Sequence, residues 1–259
     1  MVTAQKREEA LQDVPISVSA FSADLLDAKG IADPKDLPLA TPGLTLGSQA
    51  GFTVTYLRGV GSDAFLMADP SVALYIDGIY FPFSHGLAQN FGAVERVEVL
   101  KGPQGTLFGR NAVGGAISVV TKAPNFERAE GSVQVAVSDN DSVETRAHVN
   151  LPLSDDLAFS VSSLYNTADN YMSGTVFHEP LPKETSRGAR VKLRWAPVEA
   201  LDLTVAGFKL EQSGVSSMFA LNSAPSVLSQ AAGISANTSY KGDVDAPVFF
   251  DLDNRVLYT

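Results

Sequence analysis

Apolar and polar residues alternate with a period of two along most of the second half of the chain. In residues 189–196, apolar side chains occupy the odd positions, while Arg190, Lys192 and Arg194 occupy even ones. The same alternation runs through four further stretches, at residues 132–138, 143–151, 157–166 and 201–205. A strand with this pattern presents one apolar and one polar face. The pattern therefore predicts five amphipathic, antiparallel strands after residue 125.

The first half of the chain differs from the second, because its predicted elements are short and are separated by Gly and Pro. Residues 21–30 combine a Ser N-cap, an acidic first turn and a terminal Gly, which predicts a short helix, and residues 33–37 predict a second one. Strands are predicted at residues 52–57, 72–76, 79–81, 96–100 and 116–121, with Asp77-Gly78 closing a hairpin and a glycine-rich turn region at residues 102–115. We therefore expect an α+β domain at residues 1–125 and a strand domain at residues 126–259.

Alternation alone does not distinguish a sheet on a protein core from one facing lipid, because a soluble β-sandwich shows the same pattern. Three features favour a membrane barrel. The strands approach the roughly 9–11 residues that a tilted membrane strand needs. Short connections near residues 154–156 and 196–200 alternate with long ones at residues 168–185 and 212–249. Aromatic residues also lie near strand ends, at Tyr165, Tyr171 and Trp195.

The composition excludes several classes of protein. With 19 Lys+Arg against 29 Asp+Glu, the net charge is −10, which argues against nucleic-acid binding because that requires a basic surface. The chain has no Cys, which excludes disulfide frameworks, zinc ribbons and thiol nucleophiles. No run approaches the roughly 18 consecutive apolar residues of a transmembrane helix. The N-terminus also lacks the apolar segment of a signal peptide, so we expect a leader to be missing.

No stretch carries an enzyme signature. Residues 59–64 match the dinucleotide fingerprint G-x-G-x-x-A, but Pro70 arrives before a helix could form, so nucleotide binding is not expected. The histidines, His85, His148 and His178, are not paired in sequence with a nucleophile or with metal-ligand spacing. We expect them to be structural or solvated, and we expect no catalytic residue, metal site or cofactor.

The segment from Val94 to Thr121 is the most distinctive part of the chain. It combines a strand, a Gly-Pro turn, a loop whose glycines permit positive φ, and a second strand. This segment closely resembles the plug-domain signature of TonB-dependent outer-membrane receptors. With the neighbouring motifs, the matching positions are Gly59, Asp77, Gly78, Gly102, Pro103, Gly105, Gly109, Arg110, Asn111, Gly114 and Gly115.

Further motifs resemble the same family, in order and at similar spacing, over residues 2–123. They are an entry strand at residues 11–18, a Pro-Gly turn at 39–44, an Arg-Gly motif at 57–61 and a hairpin at 70–79. The resemblance implies an α+β plug domain followed by antiparallel β-strands of an incomplete transmembrane β-barrel in the cell outer membrane. A plugged receptor closes about 22 strands, so five strands predict the N-terminal portion of a longer protein.

The resemblance also implies roles for individual residues. Arg58 and Lys101 occupy basic plug positions that pair with barrel-wall glutamates in the family, although an ordinary surface charge is an equal alternative for Arg58. An N-terminal remnant of the TonB box, which pairs with the energising protein TonB through main-chain hydrogen bonds, is expected at Val2, Thr3 and Ala4. Ligand-facing apical loops are expected at residues 62–70 and 81–91, with candidate contacts at Phe65, Met67, Phe83 and His85.

This interpretation predicts active uptake of a scarce solute of the siderophore-iron, vitamin or glycan class, with the plug gating the barrel lumen. The expected partners are TonB, outer-membrane lipid and the transported small molecule. The alternative is a soluble periplasmic or secreted β-rich binding module without a transport role, which would bury the apolar faces of its strands. Whether the full receptor also signals stays open.

Overall fold

A computed structural model describes residues 16–31, 34–49, 52–62, 69–81, 93–138, 141–169, 173–174, 183–219, 243–244 and 246–258. The chain divides into two compact units, Met1–Asn125 and Phe126–Leu257, with Tyr258 grouped with the first and Thr259 with the second. The division falls where the sequence changes from short mixed elements to long alternating runs. Within the described residues, no helix has the length and apolar content needed to cross a membrane.

The first unit is a mixture of short helices and strands. Its described elements are β1 (Ser17–Ser22), α1 (Ala23–Ala28), a 3₁₀ helix (Pro34–Leu39), β2 (Leu44–Gln49), β3 (Phe52–Leu57), β4 (Val60–Gly61), β5 (Val72–Ile76), β6 (Ile79–Phe81), β7 (Val94–Lys101), α2 (Gly105–Phe108) and β8 (Gly115–Thr121). The Ser22 hydroxyl accepts the Leu25 N–H at 3.4 Å, which is the N-cap expected at the start of α1.

A mixed five-stranded sheet forms the centre of this unit, in the order β1-β7-β8-β5-β6. Strands β5 and β8 run parallel, and the other neighbours are antiparallel. Most residues of the central strands β7, β8 and β5 are buried, and Val97, Val99 and Val119 are fully buried. Strands β2, β3 and β4 form a separate antiparallel sheet. The described part of the unit thus has the α+β character that the sequence predicts.

Long antiparallel strands dominate the second unit. They are β9 (Glu130–Ser138), β10 (Ser142–Pro152), β11 (Leu157–Ala168), β13 (Glu184–Val198), β14 (Leu201–Phe219) and β16 (Ala246–Tyr258), with a short parallel pair, β12 (Ser173–Gly174) and β15 (Asp243–Val244). The long strands form one sheet in the order β16-β14-β13-β11-β10-β9. Among the described residues this sheet does not close on itself.

The two faces of this sheet differ in chemistry and exposure. One, called the apolar face below, carries exposed side chains such as Val135 at 64%, Val191 at 42% and Trp195 at 43%. The opposite, polar face carries buried polar side chains, among them Asn150 and Ser160. A soluble sandwich has the reverse arrangement, because it buries its apolar face. The exposure therefore contradicts the soluble-module alternative and matches strands whose apolar face meets lipid.

Some predicted element boundaries are wrong. The entry strand was expected to end at residue 18, whereas β1 runs to Ser22. Residues 11–15 lie outside the described part, so the expected start of this strand stays a prediction. The loop expected from Gln212 begins later, because β14 continues to Phe219. Over residues 208–211 the apolar and polar faces of this strand exchange character, with Leu210 buried and Lys209 exposed, and the alternation is then lost at Gln212.

Other elements were missed by the sequence analysis. The elements that were not predicted are strands β2, β4, β12, β15 and β16 and helix α2. The second helix was expected to stop before Pro38, whereas the 3₁₀ helix includes Pro38. Helix α2 is only four residues long and begins at a glycine, so its sequence carries no helix signal and resembles a turn.

Candidate functional site

The glycine-rich stretch between β7 and β8 forms a loop whose two ends meet. The Gly102 N–H donates to the Gly114 carbonyl at 3.1 Å, and the Gln104 N–H donates to the Ala112 carbonyl at 2.8 Å. The Gly114 N–H in turn donates to the Ser71 carbonyl, just before β5, at 2.8 Å. We call residues 102–115 the signature loop. Backbone hydrogen bonds thus both close this loop and attach it to the neighbouring chain.

Gly115 ends the signature loop in a backbone conformation and a space that favour glycine over any other residue. Its φ is +146°, and a Cβ at this position would lie 2.2 Å from the Leu100 carbonyl oxygen and 2.6 Å from the Leu57 side chain. Backbone atoms cannot move aside as a flexible side chain can, so the close approach of β7 and β8 depends on a glycine here.

Contacts with Tyr75 and Tyr80 attach the signature loop to the β5–β6 hairpin. The Tyr75 hydroxyl donates to the Phe108 carbonyl, and the two rings meet edge to face with centroids 5.0 Å apart. Asn111, at φ +68°, donates from Nδ2 to the Tyr80 hydroxyl at 2.6 Å. Burial, with a smaller contribution from Tyr80, raises the pKa of Tyr75, so its phenol remains a donor at neutral pH.

The Asp77-Gly78 turn is attached to the end of β8. Asp77 adopts φ +49°, and its N–H donates to the Val119 carbonyl at 2.9 Å. Its carboxylate accepts the Thr121 N–H at 2.7 Å and the Thr121 hydroxyl at 2.8 Å. Asp77 therefore satisfies a backbone donor and a hydroxyl at the point where the last strand of the first unit ends.

Arg58 and Lys101, which the sequence singles out separately, come together at Ser17. Arg58 lies in the turn between β3 and β4 at φ +52°, where its N–H donates to the Gly43 carbonyl at 2.6 Å. Its Nη2 donates to the Ser17 hydroxyl at 2.9 Å, and Ser17 is paired across the strands with Lys101. Burial and, to a lesser degree, Arg58 lower the pKa of Lys101. Two cations thus flank the first residue of β1.

The start of the second unit is attached to the polar face of its sheet. Asn150, which is 1% exposed, donates from Nδ2 to the Arg128 carbonyl at 2.9 Å. Arg194 donates to Asp202 from Nε at 3.0 Å and from Nη2 at 2.6 Å, and its guanidinium lies 4.8 Å from the centre of the Phe126 ring. These contacts fix the chain just after the boundary between the two units.

Several candidate residues lie outside the described part of the chain, namely Val2, Thr3, Ala4, Phe65, Met67, Phe83, His85 and His178. Their expected roles stay predictions. His148 is described and buried, with its Nδ1 3.0 Å from the Ser162 hydroxyl. Among the described residues, no group of three or more His, Cys, Asp or Glu side chains is arranged to hold a metal ion.

Sequence reasoning missed the residues that hold these motifs in place. Thr121 lies 44 positions from Asp77, and Tyr80 lies 31 positions from Asn111. These contacts follow from the sheet order and strand register, which a single sequence does not reveal. Ser17 was missed for the same reason, because 41 positions separate it from Arg58.

Residues 10–116, which contain the signature loop and its attachments, match the family model of the TonB-dependent Receptor Plug Domain. These residues belong to the plug-domain family of TonB-dependent receptors. The chain is 32% identical over 205 residues to the pesticin receptor of Yersinia pestis, covering 76% of this chain and 30% of the relative. It is also 30% identical over 179 residues to the iron-regulated outer membrane virulence protein of Vibrio cholerae, covering 62% of this chain and 26% of the relative.

The structure is similar to the crystal structure of the ferric yersiniabactin uptake receptor FyuA from Yersinia pestis. The TM-score is 0.72 at 30% identity, over 80% of this chain and 33% of that one. The chain spans about a third or less of the length of the relatives it matches. The predicted fold class is confirmed: a plug domain is followed by antiparallel strands of an outer-membrane receptor barrel, here unclosed. The pesticin receptor and FyuA are both named as receptors.

Proposed function

We propose that this chain supplies the plug and the first barrel strands of an outer-membrane receptor that imports a ferric siderophore. Residues 1–125 act as the plug, and residues 126–259 form part of the barrel wall. The observation that carries this proposal is the sheet of the second unit, with its exposed apolar face directly following a plug fold in the chain. Such a sheet suits lipid on one side and a water-filled lumen on the other.

The choice of a ferric chelate over a vitamin or a glycan is supported by the names of the relatives. One relative is an iron-regulated outer-membrane protein, and the structural neighbour is an uptake receptor for ferric yersiniabactin. We therefore propose a ferric chelate as the class of imported solute.

Uptake by the full-length receptor tests this function. The receptor is produced in cells that lack their own siderophore receptors, and accumulation of radioactive iron is measured with catecholate, phenolate and hydroxamate chelates, with cobalamin as the comparison. We expect one ferric chelate class to accumulate, and only in cells with TonB. Cobalamin uptake without iron uptake, or iron uptake that is unchanged without TonB, would contradict the proposal.

TonB is proposed to engage the N-terminal segment at Val2, Thr3 and Ala4 by strand addition. The segment leads into β1, an edge strand in the described part of the plug sheet, which pairs with β7 from Ser17 opposite Lys101 to Ser22 opposite Arg96. A pull on the N-terminus reaches the Ser17 end of this ladder first. Among the described residues, the Arg58–Ser17 hydrogen bond is therefore a side-chain contact that would bear the pull early.

Arg58 and Lys101 are proposed to pair with carboxylates of the barrel wall in the full-length receptor. Two cations flank Ser17, and the lowered pKa of Lys101 means that its charge is unfavourable without such a partner. Carboxylates supplied by the wall would offset the cost of burying the Lys101 ammonium and its repulsion by Arg58, and would hold the plug in its resting position. The pH experiment described in the Discussion tests this pairing.

A further inference from the structure

Two rows of residues mark the ends of a band on the apolar face of the second unit. Cross-strand register places Leu157, Trp195 and Leu203 in one row near the short turns. A second row, eight residues further along β13, contains Tyr165, Arg187 and Glu211. At roughly 3.3 Å per residue the rows lie ~26 Å apart along the strand, or ~20 Å across a membrane at the usual tilt. This separation approaches the ~25 Å apolar belt of outer-membrane barrels.

The second row carries a compact group of charges. Both the Arg187 guanidinium and the Lys209 ammonium donate to the carboxylate of Glu211, each to a different oxygen. The Arg187 side chain is 70% exposed and that of Lys209 is 47% exposed, while Glu211 is 26% exposed. Two cations on one carboxylate leave a net positive charge on the outside of the sheet. We call Arg187, Lys209 and Glu211 the outer basic cluster.

The connections show which membrane surface this cluster faces. Three connections lie at the end of the sheet that carries this row: the short one at residues 139–141 and the long ones at residues 169–183 and 220–245. The opposite end has only short turns, at residues 153–156 and 199–200. Outer-membrane barrels place short turns in the periplasm and longer loops outside the cell. The outer basic cluster therefore lies at the head groups of the outer leaflet, beside the half-exposed Tyr165.

We propose that Arg187 and Lys209 bind the phosphate of a phosphorylated glycolipid in the outer leaflet. A guanidinium presents two parallel N–H donors to a phosphate, and the ammonium adds a second cation. The acyl chains lie along the apolar band, over Val161 and Val191. Glu211 holds both cations in place, and its negative charge weakens the attraction for the phosphate. This inference depends on the outer-membrane location and not on the imported solute.

Removing the two cations and removing the carboxylate of the cluster should change the affinity for the glycolipid in opposite directions. One cation near an anionic membrane surface contributes about fivefold in affinity, or about 1 kcal/mol, so Arg187→Gln with Lys209→Gln should weaken binding about twenty-five-fold. Glu211→Gln removes the competing carboxylate and should strengthen binding about fivefold. Arg128→Gln is the matched control, because Arg128 is a 77% exposed cation paired with Glu130 towards the short-turn end. This variant should bind as the unchanged receptor does.

Native mass spectrometry of the full-length receptor measures these affinities, with the diphosphorylated glycolipid anchor of lipopolysaccharide and its dephosphorylated form as probes. We expect the phosphorylated probe to bind more tightly and to respond to the substitutions as stated. Equal affinity for the two probes, or weaker binding in Glu211→Gln, would overturn the proposal. Should the double variant fail to fold, the Glu211→Gln variant and the two probes still decide it.

Discussion

Asp77 and Thr121 lie 44 positions apart, yet both carboxylate oxygens of Asp77 accept hydrogen bonds from Thr121. One bond comes from the backbone N–H at 2.7 Å and the other from the hydroxyl at 2.8 Å. Thr121 is 2% exposed, so water cannot easily replace the carboxylate. The pair attaches the β5–β6 turn to the last residue of β8, where the plug sheet ends.

Replacing Asp77 tests how much this attachment contributes. Asp77→Ala leaves a buried N–H unpaired and places Ala at φ +49°, so we expect the β5–β6 hairpin to lose about 2–3 kcal/mol of local stability. Asp77→Asn tolerates the same φ and keeps one acceptor, so it should lose about 1 kcal/mol. Hydrogen exchange of the Thr121 amide in the full-length receptor measures both effects. Equal exchange in the two variants would contradict this account.

Gly115 and Gly105 provide a matched pair of glycines in the signature loop. Gly115→Ala should destabilise the plug by about 3 kcal/mol or more, because the Cβ would overlap the Leu100 carbonyl at an unfavourable φ. Gly105→Ala should change stability by less than about 1 kcal/mol, since a Cβ there meets nothing within 4 Å and Ala favours a helix. Amide protection of β7 and β8 in the full-length receptor distinguishes them. Similar protection in both variants would show that the close contact at Gly115 can relax.

Lys101 gives a pH test of the proposed pairing with the barrel wall. In the chain described here the pKa of Lys101 lies below its ordinary value of 10.5, so the unfolded chain binds more protons and plug stability should rise with pH just below 10.5. Carboxylate partners would instead raise this pKa above 10.5. Stability from the pair would then be present below 10.5 and lost as pH rises through the raised value.

In the full-length receptor we therefore expect protection of β1 and β7 to fall as pH is raised above about 10, after correction for intrinsic exchange. Lys101→Met should show a smaller fall in protection, because Tyr75, whose pKa is raised by burial, still lowers plug stability as pH rises in this range. A rise in protection with pH in the unchanged receptor would mean that no carboxylate neutralises Lys101. That result would contradict the proposed plug–barrel pairing while leaving the uptake function untouched.

Much of the fold could be predicted from local sequence because each signal acts over a few residues. The Ser22 cap, the Asp77-Gly78 turn and the alternation around Val191 all predicted elements that the structure contains. Strand β16 was missed because its pattern is irregular, and the end of β14 because its faces exchange character near Lys209. In the candidate site, the sequence identified Arg58 and Lys101 but not Ser17, since only the pairing of β1 with β7 brings them together.

The apolar face of β13 should tolerate charge at its ends but not at its centre. Val191 lies midway between Trp195 and Arg187, so Val191→Arg should destabilise the folded receptor in vesicles by about 2–4 kcal/mol. Val198, at the short-turn end of the same strand and 60% exposed, should accept Arg at a cost of about 0–1 kcal/mol. Urea titration of the full-length receptor in phosphocholine vesicles, followed by gel mobility, measures both. Equal costs would place this face outside the membrane, because only a lipid environment makes the penalty depend on depth.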